Sequence, residues 1–295
     1  MKRIIGSLVI ISGVLALGVA GTRAFFSDSE TSTGNVLQAG SIDLKIDNTS
    51  YYNGVYNPGT SWLTAVDLTD ELFFNFLDLK PGDYGEDTIS IHVDDNPSWL
   101  CADVTLTSDA ENSVTEPEDD LADTGPTGEL ADGVNFIWWA DDGDNVLEDN
   151  ETTLPSGPLG VLSAGQSATV ALADSQTNIW SPGPSPSPFP GAVTRYIGKA
   201  WCYGDIVQTP VAQDGQGALG TPGEIGSNGP DFRTAGFTCD GTLVTNIGQS
   251  DSLTADISFR SVQARHNDQF VCAPLPTVVP SPTPTEVPLP SPTGE

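Results

Sequence analysis

The chain has 295 residues, with 40 Asp and Glu against 10 Lys and Arg, a formal net charge of −30. A field this negative repels phosphate, which excludes non-specific binding to nucleic acid or to an anionic membrane surface. The 31 Gly and 23 Pro, with so few Lys and Arg, argue against long surface helices, and the length is ample for one all-β domain with a sizeable core.

Residues 1–24 read as a secretory signal peptide. Lys2-Arg3 give the basic start, and residues 4–20 the apolar run. Thr22-Arg23-Ala24 put small residues at the −3 and −1 positions that a signal peptidase needs. Cleavage is therefore expected between Ala24 and Phe25. The run is long for a leader, so an uncleaved membrane anchor is the alternative, and it is the only membrane contact the sequence suggests. Without the leader, seven basic residues face 40 acids, a net charge of −33.

Residues 25–40 form an N-terminal segment that opens Phe25-Phe26-Ser27-Asp28. Two adjacent phenylalanines have no evident reason to lie exposed on so acidic a protein. Such a segment is suited to add as a strand to the sheet edge of a neighbouring copy. A head-to-tail contact of that kind does not close and generates filaments. The alternative is that the segment folds back on its own sheet and the chain is a monomer.

From residue 41 to 272 the pattern is apolar–polar alternation, the period-2 signature of half-buried strands. Ile42, Leu44 and Ile46 alternate with Asp43, Lys45 and Asp47. Ile89, Ile91 and Val93 follow, then Ala102, Val104 and Leu106, then Val134, Phe136 and Trp138. Ala168, Val170 and Leu172, residues 195–203, and Leu253, Ala255, Ile257 and Phe259 complete at least seven strands. Separated by Gly, Pro, Asn and Asp turns, they predict an all-β, jelly-roll-like β-sandwich with long loops. Residues 61–79 fit either a short amphipathic helix or a pair of strands. Residues 108–132 are acidic and turn-rich, and 209–229 are Gly-rich. Residues 182–190, Pro-Gly-Pro-Ser-Pro-Ser-Pro-Phe-Pro, predict an exposed polyproline stretch. Residues 273–295 form a Pro/Ser/Thr-rich tail expected to be a disordered stalk. Its Leu289-Pro290-Ser291-Pro292-Thr293-Gly294 only faintly resembles a wall-sorting signal, and no hydrophobic segment follows.

Four cysteines, Cys101, Cys202, Cys239 and Cys272, follow the leader. An even count in an exported chain favours disulfides, with three pairings possible. Metal ligation is the rival reading, but no two are spaced as CxxC. Cys202 and Cys239 flank one Gly-rich excursion, which favours their pairing and leaves Cys101 with Cys272. Closing a loop of 36 intervening residues would contribute about 3–4 kcal/mol on the chain-entropy model.

The segment with the most chemistry is residues 138–151, Trp-Trp-Ala-Asp-Asp-Gly-Asp-Asn-Val-Leu-Glu-Asp-Asn-Glu. Calcium takes six to eight hard oxygens on flexible backbone, and a Gly within an acidic run permits a tight turn. The EF-hand register fails, because Val146 or Gly143 falls where a ligand is needed. The expectation is a β-loop calcium site with Asp142, Asp144, Asn145, Glu148 and Glu151 as ligands. The alternative is a solvated acidic loop. Catalysis has little support: the two histidines, His92 and His266, read as surface or turn residues. There is no H-E-x-x-H and no Gly-x-Ser-x-Gly.

The N-terminal block resembles the exported fibre proteins of the TasA and camelysin family. The shared features are Ala24, Phe25, Phe26, Ser27, Asp28, Glu30, Thr31, Asn35, Ala39, Gly40, Ile42, Asp43 and Leu44. The cysteine-bearing stretches, residues 199–204 and 239–241, are similar to a cysteine-containing branch of that family. The resemblance implies processing by a SipW-type signal peptidase and a jelly-roll-like sandwich braced by disulfides, and it carries no catalytic assignment. The resulting expectation is a secreted, extracellular structural protein forming fibres or biofilm matrix, with itself as partner. The alternatives are a camelysin-like secreted protease, for which the zinc-binding histidines are missing, and a monomeric binding module displayed on the Pro-rich stalk.

Overall fold

The computed structural model describes residues 27–31, 42–121, 123, 125–154, 157–217 and 228–273. The expected leader, its cleavage site at Ala24 and Phe25, the Phe25-Phe26 pair and the tail beyond residue 273 lie outside the described residues.

In chain order the strands are β1 (Ser27–Thr31), β2 (Leu44–Tyr52), β3 (Val55–Tyr56), β4 (Trp62–Val66), β5 (Tyr84–Val93), β6 (Ser98–Ala110) and β7 (Val134–Asp141). They continue with β8 (Gly157–Pro158), β9 (Ser167–Ala173), β10 (Val193–Tyr203), β11 (Asp205–Gln208), β12 (Phe237–Asp240) and β13 (Ser252–Gln263). Two single-turn helices, α1 (Glu116–Asp119) and α2 (Leu130–Gly133), sit between β6 and β7. One sheet runs β1-β13-β6-β9. The larger runs β3-β2-β5-β10-β7-β8, with β4 also pairing β2. Every named ladder is antiparallel. The fold is an all-β sandwich, as the alternation predicts.

The alternating positions place the core. Ile42, Leu44, Ile46, Ile89, Ile91 and Val93 from the larger sheet meet Leu100, Ala102, Val104, Leu106, Leu172, Ile257 and Phe259 from the smaller. Residues 61–79 resolve into β4 and then irregular chain. Phe73 packs into the core, and Phe76 stacks on Tyr52 with ring centroids 4.6 Å apart. The proline stretch 182–190 is mostly exposed, but Phe189 near its end is fully buried and pairs with Ser98 through two backbone hydrogen bonds. Asn178 Nδ2 also donates to Ser187 O at 2.6 Å, so the stretch is held at its end.

Simple alternation breaks down in β10, where residues 197–203 are all buried. One face of this strand meets the sandwich core. The other lies under a second layer built from the loop after β7 and the excursion between β10 and β12. Gly198 makes the layering possible: a Cβ there would sit 1.9 Å from the Trp139 indole. At the neck of the excursion Gly204, at φ +143°, lies so close to Asp240 O that a Cβ would approach to 2.4 Å.

Both disulfides form in the favoured pairing. Cys202–Cys239 ties the end of β10 to β12, and Cys101–Cys272 ties β6 to the chain beyond β13. Neither metal ligation nor the other pairings survive this geometry. Two disulfides fit an oxidising, extracellular compartment. No helix among the described residues is long and apolar enough to cross a membrane.

Within the sandwich, Lys199 is completely buried, with Nζ 2.6 Å from Asp87 Oδ2 and 5.6–5.9 Å from the ring centroids of Phe73, Phe74 and Phe136. Asp87 Oδ1 accepts from Asn48 Nδ2 at 3.0 Å. Removing one partner of such a pair strands the other charge, at a cost of about 3–5 kcal/mol. Lys199→Met is therefore expected to lower unfolding stability by about that much in urea titrations, and adding Asp87→Asn is expected to recover part of the loss. Equal stability of Lys199→Met and the unmodified chain would mean the pair carries no such weight.

Candidate functional site

The acidic loop begins where β7 ends. Asp141, the last residue of β7, is buried and accepts from Gly143 N at 3.1 Å and Asn145 N at 3.3 Å through Oδ2. Trp139 Nε1 donates to Asp141 Oδ1 at 3.1 Å and Thr88 Oγ1 to Oδ2 at 3.3 Å. One carboxylate thus turns the chain and fixes the loop on the sheet. Asn145 completes the turn in the left-handed region, at φ +67°, a conformation that Asn tolerates better than most side chains. Asp144 Oδ1 accepts from Val146 N at 2.9 Å.

Glu151 braces the loop from inside. Its Oε1 accepts from Asp142 N at 3.0 Å and its Oε2 from Glu148 N at 2.9 Å. The loop is then roofed by the excursion. Leu147 N donates to Ala235 O, Asp149 N to Val211 O, and Val211 N to Leu147 O. Asp144, Asn145 and Glu148 are consequently 0–1% exposed. Residues 143–148 are thus an interior layer rather than a solvated loop, because the chain clamped by Cys202–Cys239 folds over them, while Asp149 and Asn150 stay exposed.

Arg233, from the excursion, enters this layer. Its Nη1 lies 2.7 Å from Asp144 Oδ2 and 3.0 Å from Asp214 Oδ2, and its Nη2 lies 2.7 Å from Glu148 Oε1 and 3.0 Å from Ala212 O. Gln213 Nε2 donates to Asp142 Oδ2 at 2.8 Å. A single guanidinium therefore bridges three carboxylates, using the planar fork that suits paired acceptors.

The five expected calcium ligands divide. Single carboxylate oxygens of Asp142, Asp144 and Glu148 lie within 4.8 Å of one another, as do those of Asp141, Asp142 and Glu151. Two oxygens sharing one calcium at about 2.3–2.6 Å can stand no more than about 5 Å apart, so each set has the spacing to hold a hard cation. Asp142 Oδ1 and Glu148 Oε2 are buried without a hydrogen-bond partner, as are both side-chain polar atoms of Asn145. Glu151 serves mainly to tie backbone. Asp141 and Arg233 are absent from the sequence-based set. A strand-ending Asp two residues before a Gly is a turn signal that could have identified Asp141. Nothing local marks Arg233, since its partners are more than 80 residues away for Asp144 and Glu148.

One arginine does not balance these acids. Burial, then the nearby Asp142 charge, pushes Asp141 up to about 7. Burial, then the charges of Asp141 and Asp142, pushes Asp144 up to about 8. Burial, then Asp141, pushes Glu151 up to about 9. Burial also raises Glu148, although the Arg233 hydrogen bond opposes it.

The histidines stand apart from this site. His92 Nε2 lies 2.6 Å from Asp47 Oδ2, with Thr194 Oγ1 3.0 Å from Nδ1. His266 occupies a turn at φ +66°. Among the described residues, the groups with metal-ligand spacing are all carboxylates.

Arg233→Gln removes the one positive charge from a buried set of acids. At pH 7–8 it is expected to destabilise the fold by about 3 kcal/mol, the scale for leaving a buried charge unpaired. At pH 5 the loss shrinks, because Asp144, pushed up to about 8, then holds a proton and needs no counter-charge. Thermal unfolding of both proteins at the two pH values checks this. A loss that does not depend on pH would show that Arg233 acts only by packing.

Searches against protein-family models, curated proteins and solved structures find no match to this chain, so its functional reading rests on its own residues.

Proposed function

We propose that this chain is an exported structural subunit that assembles into extracellular fibres by exchanging its N-terminal strand between copies. The observation that carries the reading is the position of β1. This five-residue strand ends the smaller sheet and pairs with β13, in the register Ser27↔Val262 to Thr31↔Ser258. In the single chain the pairing is internal, the arrangement expected of a monomer. The same hydrogen bonds are available to a β1 from a neighbour, because an antiparallel edge is read through its backbone. Ser27 and Asp28, expected in the donor strand, are the first two residues of β1. β1 belongs to one sheet and β2 to the other, so giving β1 to a neighbour leaves β2 and its own sheet in place, as in domain swapping.

The secretory leader, the two disulfides, the strongly acidic surface and the N-terminal resemblance to fibre-forming exported proteins support the same reading. In this reading a calcium-class cation shared by Asp142, Asp144 and Glu148 relieves the charge that Arg233 leaves unbalanced. No specific observation favours the protease alternative, and the stalked binding module remains the competing outcome of the test.

Thr31→Cys/Ser258→Cys places a cysteine pair at one β1–β13 position. Oxidised in the monomer, the pair locks β1 into its own sheet, and electron microscopy is expected to find no filaments. Oxidised after assembly, it is expected to give covalent ladders on non-reducing gels. Filaments built from the internally locked protein would contradict strand exchange. Absence of filaments from the unmodified, processed protein at any calcium level or pH would favour the display-module reading.

A further inference from the structure

A second set of carboxylates gathers at the opposite end of the sequence's acidic stretch, away from Arg233. Glu111 follows β6, Glu118 lies in α1, Asp123 and Glu129 belong to the crossover into α2, and Asp251 immediately precedes β13. One carboxylate oxygen each from Glu111, Glu118 and Asp123 lies within 4.8 Å of the other two, and the same holds for Glu111, Glu129 and Asp251. Glu111 is common to both groups.

Local structure explains how the acids come together. Thr115 N donates to Glu118 Oε2, Gly125 N donates to Asp123 Oδ1 at 3.0 Å, and Glu129 N donates to Asp251 Oδ2 at 2.6 Å. Each of these carboxylates spends one oxygen on a backbone amide. The other oxygen, namely Glu118 Oε1, Asp123 Oδ2 or Asp251 Oδ1, is buried without a hydrogen-bond partner, as are both oxygens of Glu111 and Oε2 of Glu129. Glu118 is 0% and Asp123 6% exposed. A buried, unpartnered carboxylate oxygen costs several kcal/mol unless something neutralises it.

No cationic side chain among the described residues does so: no Lys, Arg or His forms an ion pair with any of the five. The sequence has no Lys or Arg at all between Lys80 and Arg195. This contrasts with the Asp144–Glu148 set, which has Arg233. Burial, then the contact with Asp123 and the charge of Asp251, pushes Glu111 up to about 7. Burial, then the Asp123 and Asp251 charges, raises Glu129.

We propose that Glu111, Glu118, Asp123, Glu129 and Asp251 form a binding site for a calcium-class divalent cation, which pins the crossover 111–132 to the start of β13. The donor set is all oxygen and purely carboxylate, which selects a hard cation over zinc or copper. Ligands drawn from a loop, a single helical turn and a strand start give the adaptable geometry that calcium accepts and magnesium resists. Glu111 is the shared ligand of the two groups.

The test uses the processed, metal-stripped protein, titrated with calcium chloride by calorimetry and followed by thermal unfolding. Three proteins are compared: unmodified, Glu118→Gln/Asp123→Asn, and Asp142→Asn. The first variant keeps the shapes of both side chains and removes two crowded charges, so in chelator at pH 8 it is expected to be at least as stable as the unmodified chain. It is expected to lose a class of calcium sites, or at least tenfold in affinity at them, together with the calcium protection of segment 111–132 against proteolysis. Asp142→Asn is expected to keep the calcium class lost by the first variant and the protection of that segment, losing only calcium held by Asp142, Asp144 and Glu148. The proposal is overturned if Glu118→Gln/Asp123→Asn binds calcium with unchanged stoichiometry and affinity. It is also overturned if that variant is less stable than the unmodified chain by the same amount with and without calcium, since the carboxylates would then be structural hydrogen-bond acceptors only.

Discussion

The scarcity of positive charge is the constraint on which this architecture turns. Seven Lys and Arg follow residue 24, and three of them are committed to buried acids. Lys199 meets Asp87 between β10 and β5, Arg260 meets Asp103 between β13 and β6, and Arg233 meets Asp144 and Glu148 between the excursion and the acidic loop. All four acids are 0–1% exposed at the side chain. A carboxylate taken from water without a partner costs more than one lost packing contact, so these pairs fix which strands and layers stack on one another. Arg260 also donates to Ala273 O, beside the Cys101–Cys272 bridge. Charge pairing and disulfide therefore close the smaller sheet at the same place.

Where the supply of cations ends, carboxylates face each other. The acidic loop has one guanidinium among several acids, and the crossover before β7 has none. The first is packed beneath the excursion clamped by Cys202–Cys239, and in the second, Glu118 and Asp123 are buried near the start of β13. The disulfide restricts the excursion in the unfolded chain and so favours a layer that its own electrostatics oppose. In the proposed reading an external divalent cation would relieve such a layer, and its binding would add to stability by mass action. The same reading makes the loops respond to pH and to cation level.

The strands themselves were legible in the sequence, because Ile42-Leu44-Ile46, Ile89-Ile91-Val93 and Ala102-Val104-Leu106 alternate with polar residues, although Ser90 and Asp103 between them are buried as well. The second layer was not. β10 is buried on both faces, so Lys199 at a core-facing position reads as an ordinary polar residue until its partner Asp87 is placed beside it. Asp142, Asp144 and Glu148 were legible as an oxygen-rich turn. Their burial was not, because the roof over them comes from residues 205–240 and long-range contacts leave no local period. The crossover 108–132 read only as an acidic loop, since its convergence depends on Asp251, more than a hundred residues later. Whether β1 pairs internally or with a neighbour cannot be decided by pattern, because the backbone bonds are the same in both.

The most direct test of this account is the melting temperature of the processed protein from pH 5 to pH 9, in chelator and in calcium. Asp141, Asp144, Glu151 and Glu111 are pushed up to about 7, 8, 9 and 7 in the folded state, against about 4 in an unfolded chain. Between those values the folded state binds more protons than the unfolded one, so its stability falls as pH rises. The account predicts a melting temperature in chelator that declines from pH 5 to pH 9, and a decline that calcium largely removes. A melting temperature in chelator that rises with pH over this range, or a pH profile unaffected by calcium, would contradict it.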